Sequence, residues 1–317
     1  MAQCLFLGCN HNQLPYLLAA QALGFRVVAT DLNPQAPGAA VADRFHRAGY
    51  DDIEGLVAIA ESEDFGADDR IFTASAHFAW EGAAAVAHRL GLAFPSPQVV
   101  DVCLDKAKFY PLLEQLGVRV PPTRTVAAED APGLDPDKVY YLKSDYGKSP
   151  YYCCRVTNGR WPVRPETFDR FYRQSFLLQE EVRGSHYRVN LYGDQAAVFL
   201  KFTDTCAAPL AVLGPGHHEV IEALRRVTAE LQLTGLLTKF DLIVNQDGWF
   251  VIDLGLDPPM RLRLFCEHQG IDFAAAYTRA YLTMDASALP VWSTLVRPLI
   301  MCGTPGNITF MPLGDHS

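Results

Sequence analysis

The stretch Thr238–Arg263, TKFDLIVNQDGWFVIDLGLDPPMRLR, sets two apolar runs on either side of a turn, and each run carries one aspartate, Asp241 and Asp253. Short runs rich in Val, Ile and Phe, broken by Asn-Gln-Asp-Gly, read as a β-hairpin. Its register decides what the aspartates do. If Asp247-Gly248 forms a two-residue turn, Asp241 and Asp253 point to opposite faces, because side chains alternate along a strand. If Gln246-Asp247-Gly248 is a three-residue loop with Gly248 in the left-handed region, Asn245 pairs with Trp249 and Ile243 with Val251. Asp241 then lies opposite Asp253. Facing carboxylates, with Cβ atoms roughly 5 Å apart, repel unless positive charge lies between them. A hard divalent cation meets that demand, and Mg2+ typically brings substrate phosphates with it. The alternative is an aspartate that faces solvent or pairs with Lys239 or Arg261.

The rest of the chain narrows the choice. Its 317 residues, 49% apolar and 20% charged, suit a globular protein of two or three modules. A net charge of −9 argues against nucleic acid as the main partner, yet allows a local basic pocket for a small phosphorylated ligand. No stretch approaches a membrane-spanning length without polar residues. The eight cysteines have no CxxC pairing, which favours reduced, buried thiols in a cytoplasmic protein.

The first hundred residues alternate strand and helix: CLFLG, QLPYLLAAQALG, RVVATD, DDIEGLVAIAES, RIFTAS and AWEGAAAVAHRLGL. That rhythm implies a parallel sheet covered on both faces. The loop GCNHNQ lacks GxGxxG, so a dinucleotide site is not expected there, although Asn10, His11 and Asn12 stand at a strand end where substrates bind. FPSPQ reads as a linker, followed by one helix over VVDVCLDKAKFYPLLEQLG. Beyond residue 120 the pattern turns to short β-type runs, KVYYLKS, YYCCRVT, SFLLQEEV, HYRVNLYG and QAAVFLKFT, which is antiparallel territory. The helix HHEVIEALRRVTAELQL precedes the hairpin. Helical runs at RLRLFCEHQG and DFAAAYTRAYL follow, with a last strand at VRPLIMCG.

Four lysines stand where strands or helices end or run half-buried: Lys106, Lys143, Lys201 and Lys239. Lysine is rarely buried without a partner, so several in apolar strands point to an anionic ligand. With these pieces in this order, nearly the whole chain resembles the ATP-grasp superfamily. The resemblance implies an α/β pre-ATP-grasp domain with a Rossmann-like parallel sheet over residues 1–97. It implies an α+β ATP-grasp fold of two subdomains after that, a small lid over 98–180 and a larger unit over 181–317.

It also implies the ligands, ATP and Mg2+. Lys106, Lys143 and Lys201 would contact the nucleotide phosphates, and Ser149 could supplement an atypical phosphate loop, SDYGKSPYY. Glu180 would lie near the adenine amino group, Glu181 and Val182 would offer backbone contacts, and His186 would meet the ribose. Asp241 and Asp253 would hold the metal. Members usually place an asparagine two residues after the second carboxylate, where it helps ligate metal. Here Gly255 stands in that place, with Asp257 the nearest substitute and the second metal in doubt. Lys239, Arg188 and Arg261 are the candidates for binding substrate carboxylate and the reacting centre.

The implied activity is ATP-dependent, ADP-forming ligation of an amino acid or small carboxylate to an amine through an acylphosphate. A carboxyphosphate-forming ligase of the purine-pathway kind, or an ATP-binding protein without catalysis, are the alternatives. Partners are then ATP and small carboxylate and amine substrates, not nucleic acid or membrane, with a homodimer allowed.

Overall fold

The computed structural model describes residues 1–75, 77–127, 133–146, 153–159, 175–203, 206–210, 213, 216–290, 292, 299–304 and 307–312. Ser149 lies outside them. Strands β1 (Gln3–Leu7), β2 (Arg26–Thr30), β3 (Arg44–His46) and β4 (Arg70–Phe72) form a parallel sheet in the order β3-β2-β1-β4. Alternation along β1 sends Cys4 and Phe6 into one hydrophobic cluster, and Leu5 and Leu7 into another with Leu56 and Val57 of α2 (Ile53–Ser62). Both faces are therefore buried, as a parallel sheet requires. Helices α1 (Leu14–Ala22) and α3 (His77–Leu90) complete this unit.

FPSPQ is not a plain linker. The Ser96 hydroxyl accepts a hydrogen bond from the Val99 N–H and Pro97 follows at the first turn, so α4 (Pro97–Leu104) starts inside it. The single helix expected next is two. Asp105 is extended, at φ −101° and ψ 103°, and its carboxylate accepts from the Ala107 N–H to open α5 (Lys106–Gln115). Aspartate competes with the helical backbone for hydrogen bonds, which is why the break falls on it.

Two antiparallel sheets follow. The smaller, β5-β8-β6-β7, is built from β5 (Thr123–Ala127), β6 (Tyr140–Ser144), β7 (Cys153–Val156) and β8 (Ser175–Glu180). The larger has seven strands in the order β13-β12-β9-β10-β11-β14-β15. Its strands are β9 (Ser185–Tyr192), β10 (Gln195–Lys201), β11 (Cys206–Leu210), β12 (Thr238–Asn245), β13 (Gly248–Gly255), β14 (Leu299–Thr304) and β15 (Asn307–Pro312). Helices α6 (His217–Glu230), α7 (Met260–His268) and α8 (Phe273–Thr283) lie between these strands in the chain. β3, β5, β11 and β15 are short or edge segments with no clear alternation, and the sequence pattern did not foresee them.

The cysteines need correction. Cys206 of β11 and Cys302 of β14 are direct ladder partners and form a disulfide, while Cys153 and Cys154 are exposed. A separation of 96 residues leaves no spacing signal for such a pair.

The hairpin register also differs from expectation. Asn245 pairs with Gly248 and Leu242 with Val251, so the loop is the two residues Gln246-Asp247. Continued unbroken, that register would send Asp253 to the core face. A β-bulge at Ile252 restores it, and Asp241 pairs with Asp253. Bulges re-aim side chains in this way beside functional sites. On the opposite face Phe240, Leu242, Val189, Leu191 and Leu254 are buried in the main core. Phe240→Ala should lower the unfolding free energy by about 3 to 5 kcal/mol, read from the urea midpoint and slope, because Phe240 is fully buried and the void cannot collapse.

Candidate active site

The ladder registers set one row of polar side chains on the face of the seven-stranded sheet away from that core. Lys201 pairs with His186 across β10 and β9, Arg188 with Asp241 across β9 and β12, and Asp241 with Asp253 across β12 and β13. All five therefore project to one side. Arg188 grips Asp241 through both nitrogens of its fork, Nε to Oδ1 at 2.7 Å and Nη2 to Oδ2 at 2.6 Å. Lys201 Nζ lies 3.7 Å and His186 Nε2 3.9 Å from the same carboxylate, and Lys201 Nζ is 3.4 Å from His186 Nε2. Burial pushes the Asp241 carboxyl up, but Arg188, then Lys201 and His186, more than offset it and hold it well below the usual range.

Asp253 meets Lys106 Nζ at 3.1 Å, from the first residue of α5. Lys143, from β6, is nearly fully buried and donates to Tyr110 Oη at 2.8 Å and to Gln179 Oε1 at 2.7 Å. Tyr110 in turn gives its proton to the Ile252 carbonyl at 2.8 Å, so the bulged residue's oxygen is satisfied by the helix that carries Lys106. The smaller sheet is tied to the same helix, since the Lys106 N–H donates to Asp145 O at 2.7 Å. Burial pushes the Lys143 ammonium down to about 8, a fall moderated by the Asp253 charge.

The other sequence candidates fall in two groups. Lys239 Nζ lies 2.6 Å from Asp257 Oδ2, so these two residues pair with each other and not with the central aspartates. Arg261 stands half-buried in the first turn of α7. Glu180, Glu181 and Val182 lie where β8 ends and the chain crosses to β9, beside a cleft of about 920 Å3. None of Lys106, Lys143, Lys201 or Asp241 lines that cleft. Glu180 pairs with Lys138 at 2.8 Å, which removes its side chain from the simple role of an open acceptor. Arg155 above all, with help from Arg183 and against the opposing effect of burial, holds the Glu181 carboxyl down to about 2; its backbone N–H donates to Val139 O at 2.9 Å. Tyr110 and Gln179 were not foreseen, because a tyrosine and a glutamine in apolar segments look like core and edge residues until a buried lysine is seen between them.

The donor set decides how well a metal would fit. Asp241 and Asp253 face each other, yet both Asp241 oxygens are engaged by Arg188 and Asp257 is turned to Lys239. Among the described residues no group of three or more His, Cys, Asp or Glu could hold a metal ion. Asp253, with about a third of its side chain exposed, suits one hard cation completed by phosphate oxygens and water, and a protein cage is absent.

No family model matches the sequence, and no curated protein matches it. Solved structures do. N5-carboxyaminoimidazole ribonucleotide synthetase from Thermotoga maritima superposes with a TM-score of 0.71 at 18% identity, over 95% of this chain and 80% of its own. The L-amino acid ligase from Bacillus licheniformis gives 0.71 at 16%, over 94% and 78%. The biotin carboxylase domain dimer of Hydrogenobacter thermophilus 2-oxoglutarate carboxylase, determined with MgADP, ADP and bicarbonate, gives 0.69 at 15%, over 95% and 74%. A parallel α/β unit followed by these two antiparallel sheets is the ATP-grasp fold. Among the described residues, no helix is long and apolar enough to cross a membrane.

Two outcomes follow from the geometry. Arg188→Leu leaves the Asp241 charge with only the longer contacts to Lys201 and His186, and should destabilise the protein by about 3 kcal/mol at pH 7 in denaturant unfolding. For this aspartate the folded pKa is depressed, so its stabilisation is present above the ordinary carboxylate range. It is lost as pH falls through the folded value, and the variant's deficit should shrink in strong acid. Lys143 behaves oppositely: burial lowers its ammonium to about 8, below its unfolded value, so its charge costs stability most below pH 8, and wild-type stability relative to Lys143→Met should rise as pH passes 8 in denaturant unfolding.

Proposed function

We propose that the protein is a cytoplasmic, ADP-forming carboxylate–amine ligase that joins an amino acid or small carboxylate to an amine through an acylphosphate. The observation that carries the reading is the convergence of Lys106, Lys143 and Lys201, from three separate elements, around two facing aspartates on one sheet face. Such an array suits charge that moves, because ammonium groups in a shielded site stabilise phosphate oxygens more strongly than they would in water.

In this reading the substrate carboxylate oxygen attacks the γ-phosphorus and ADP leaves. The amine nitrogen then attacks the acyl carbon, loses its proton and expels inorganic phosphate. Lys106 and Lys201 turn from the aspartates to the phosphates, and Lys143 meets them from the smaller sheet. As Lys106 turns to phosphate, Mg2+ at Asp253, which faces Asp241, would supply positive charge to phosphate oxygens. Arg261, half-buried in the first turn of α7, is the candidate for the substrate carboxylate, since guanidinium suits bidentate carboxylate recognition. Glu181 and Val182 line the adenine side, with Glu181 using its carbonyl because its N–H is engaged, and His186 sits toward the ribose. No protein nucleophile is required.

Similarity of equal TM-score to a carboxyaminoimidazole ribonucleotide synthetase supports a second reading, in which bicarbonate is phosphorylated to carboxyphosphate. One assay separates the two. Phosphate release from ATP and Mg2+ should depend on particular amino acids, yield a condensed product, and fall at least about a hundredfold in Asp253→Asn. Release that depends on bicarbonate alone selects the second reading. Nucleotide binding with no turnover under any condition overturns both.

A further inference from the structure

Among the described residues, Lys106, Arg188, Lys201 and Lys239 each pair directly with an aspartate, whereas the hydrogen-bond partners of Lys143 are both neutral. Its ammonium donates to Tyr110 Oη at 2.8 Å and to Gln179 Oε1 at 2.7 Å, and Asp253 reaches it only as a more distant charge. The residue is 6% exposed. An ammonium buried among neutral groups costs stability that an apolar side chain of similar length would not. Packing alone does not account for such a lysine; an anion that meets it does.

The two acceptors have no freedom to turn away. Thr123 gives its hydroxyl proton to the Pro121 carbonyl at 2.7 Å, so it can only accept from Gln179 Nε2, 2.8 Å away. With its nitrogen committed to Thr123, Gln179 turns its oxygen to Lys143. Tyr110 likewise spends its one proton on the Ile252 carbonyl at 2.8 Å and presents only a lone pair to the lysine. Gln179 and Tyr110 are themselves joined, Nε2 to Oη at 3.3 Å, and each is only 4% exposed, so bulk water does not compete for either. An ammonium carries three N–H groups. These acceptors take two, and the third is the one a phosphate oxygen would use.

Resting on the nucleotide side of the ligase reading above, we propose that Tyr110 and Gln179 are positioning residues that act through Lys143, holding its ammonium where nucleotide phosphate meets it. In this role neither needs to touch the nucleotide. Tyr110 acts from α5 and Gln179 from β8, so the grip joins the helix that carries Lys106 to the smaller sheet. Ile252 and Thr123 set the direction of the two acceptors.

The test is a double-mutant cycle read as affinity. A fluorescent, non-hydrolysable ATP analogue is titrated with Mg2+ into the full chain and into Tyr110→Phe, Gln179→Met and Lys143→Met. The first two are also measured in combination with Lys143→Met. Tyr110→Phe keeps the ring, whose centroid lies 5.4 Å from the lysine Nζ, and Gln179→Met leaves the bond from Tyr110 to Ile252 in place. Each should bind the analogue about tenfold more weakly than wild type, the loss of one acceptor on a charged donor. On the Lys143→Met background neither should weaken binding further, because a residue that acts through the lysine then has nothing to act on. A structural role alone gives the same loss with and without the lysine, and that result overturns the proposal. Wild-type affinity in Lys143→Met, or in either folded single variant, overturns it too. If one single variant fails to fold by circular dichroism, the other cycle decides. An analogue that does not bind the wild-type chain overturns the nucleotide reading itself, and this inference with it.

Discussion

The site depends on one extra residue. Because a strand's side chains alternate, a register error of one position moves every group to the wrong face. The tight loop at Gln246-Asp247 sets a register that would bury Asp253 against Phe240, and the bulge at Ile252 undoes it five residues later. The bulge leaves a carbonyl to be satisfied, and Tyr110 satisfies it while accepting a hydrogen bond from Lys143. A single backbone irregularity thus positions a carboxylate, anchors the helix bearing Lys106 and fixes a lysine of the smaller sheet. The three elements share one hydroxyl.

In the resting protein the cations and carboxylates neutralise each other. Three buried or half-buried aspartates would be untenable alone, and each has a named partner: Arg188, Lys106 or Lys239. The pairs differ in character. Arg188 uses a planar fork that fits a carboxylate and has little reason to leave, whereas Lys106 and Lys201 are single ammonium groups at longer distances, 3.1 and 3.7 Å. The arrangement therefore separates a tightly held set of charges from a more loosely held one.

Much of the fold was legible because its signals are local. Buried runs such as CLFLG and β-type runs such as QAAVFLKF each act within a few residues. The opposition of Asp241 and Asp253 was also readable, although by the wrong route: a three-residue loop and a two-residue loop with a bulge give the same pairing beyond the irregularity. What was not legible depends on contacts between distant segments. Nothing near Asp241 in sequence announces Arg188, 53 residues away, and nothing near Cys206 announces Cys302. The break at Asp105 was hidden by good helix formers on both sides. Gly255 was noticed as a missing ligand, but only coordinates could show a lysine lying over it.

The larger sheet ends differently on its two sides. β13 is an edge strand, but its outer side is covered: the Val251 N–H donates to Arg119 O at 2.9 Å, and the Arg119 guanidinium sits 4.4 Å over the Phe250 ring and donates to the Asp247 carbonyl. At the far end β15 exposes much of its surface and closes on Pro312. An uncovered edge is a template for another strand, and a covered one is not. Among the described residues, growth of this sheet by a second chain is hindered beside the aspartates, and the margin left open lies five strands from β12, where an added partner would leave the polar row untouched.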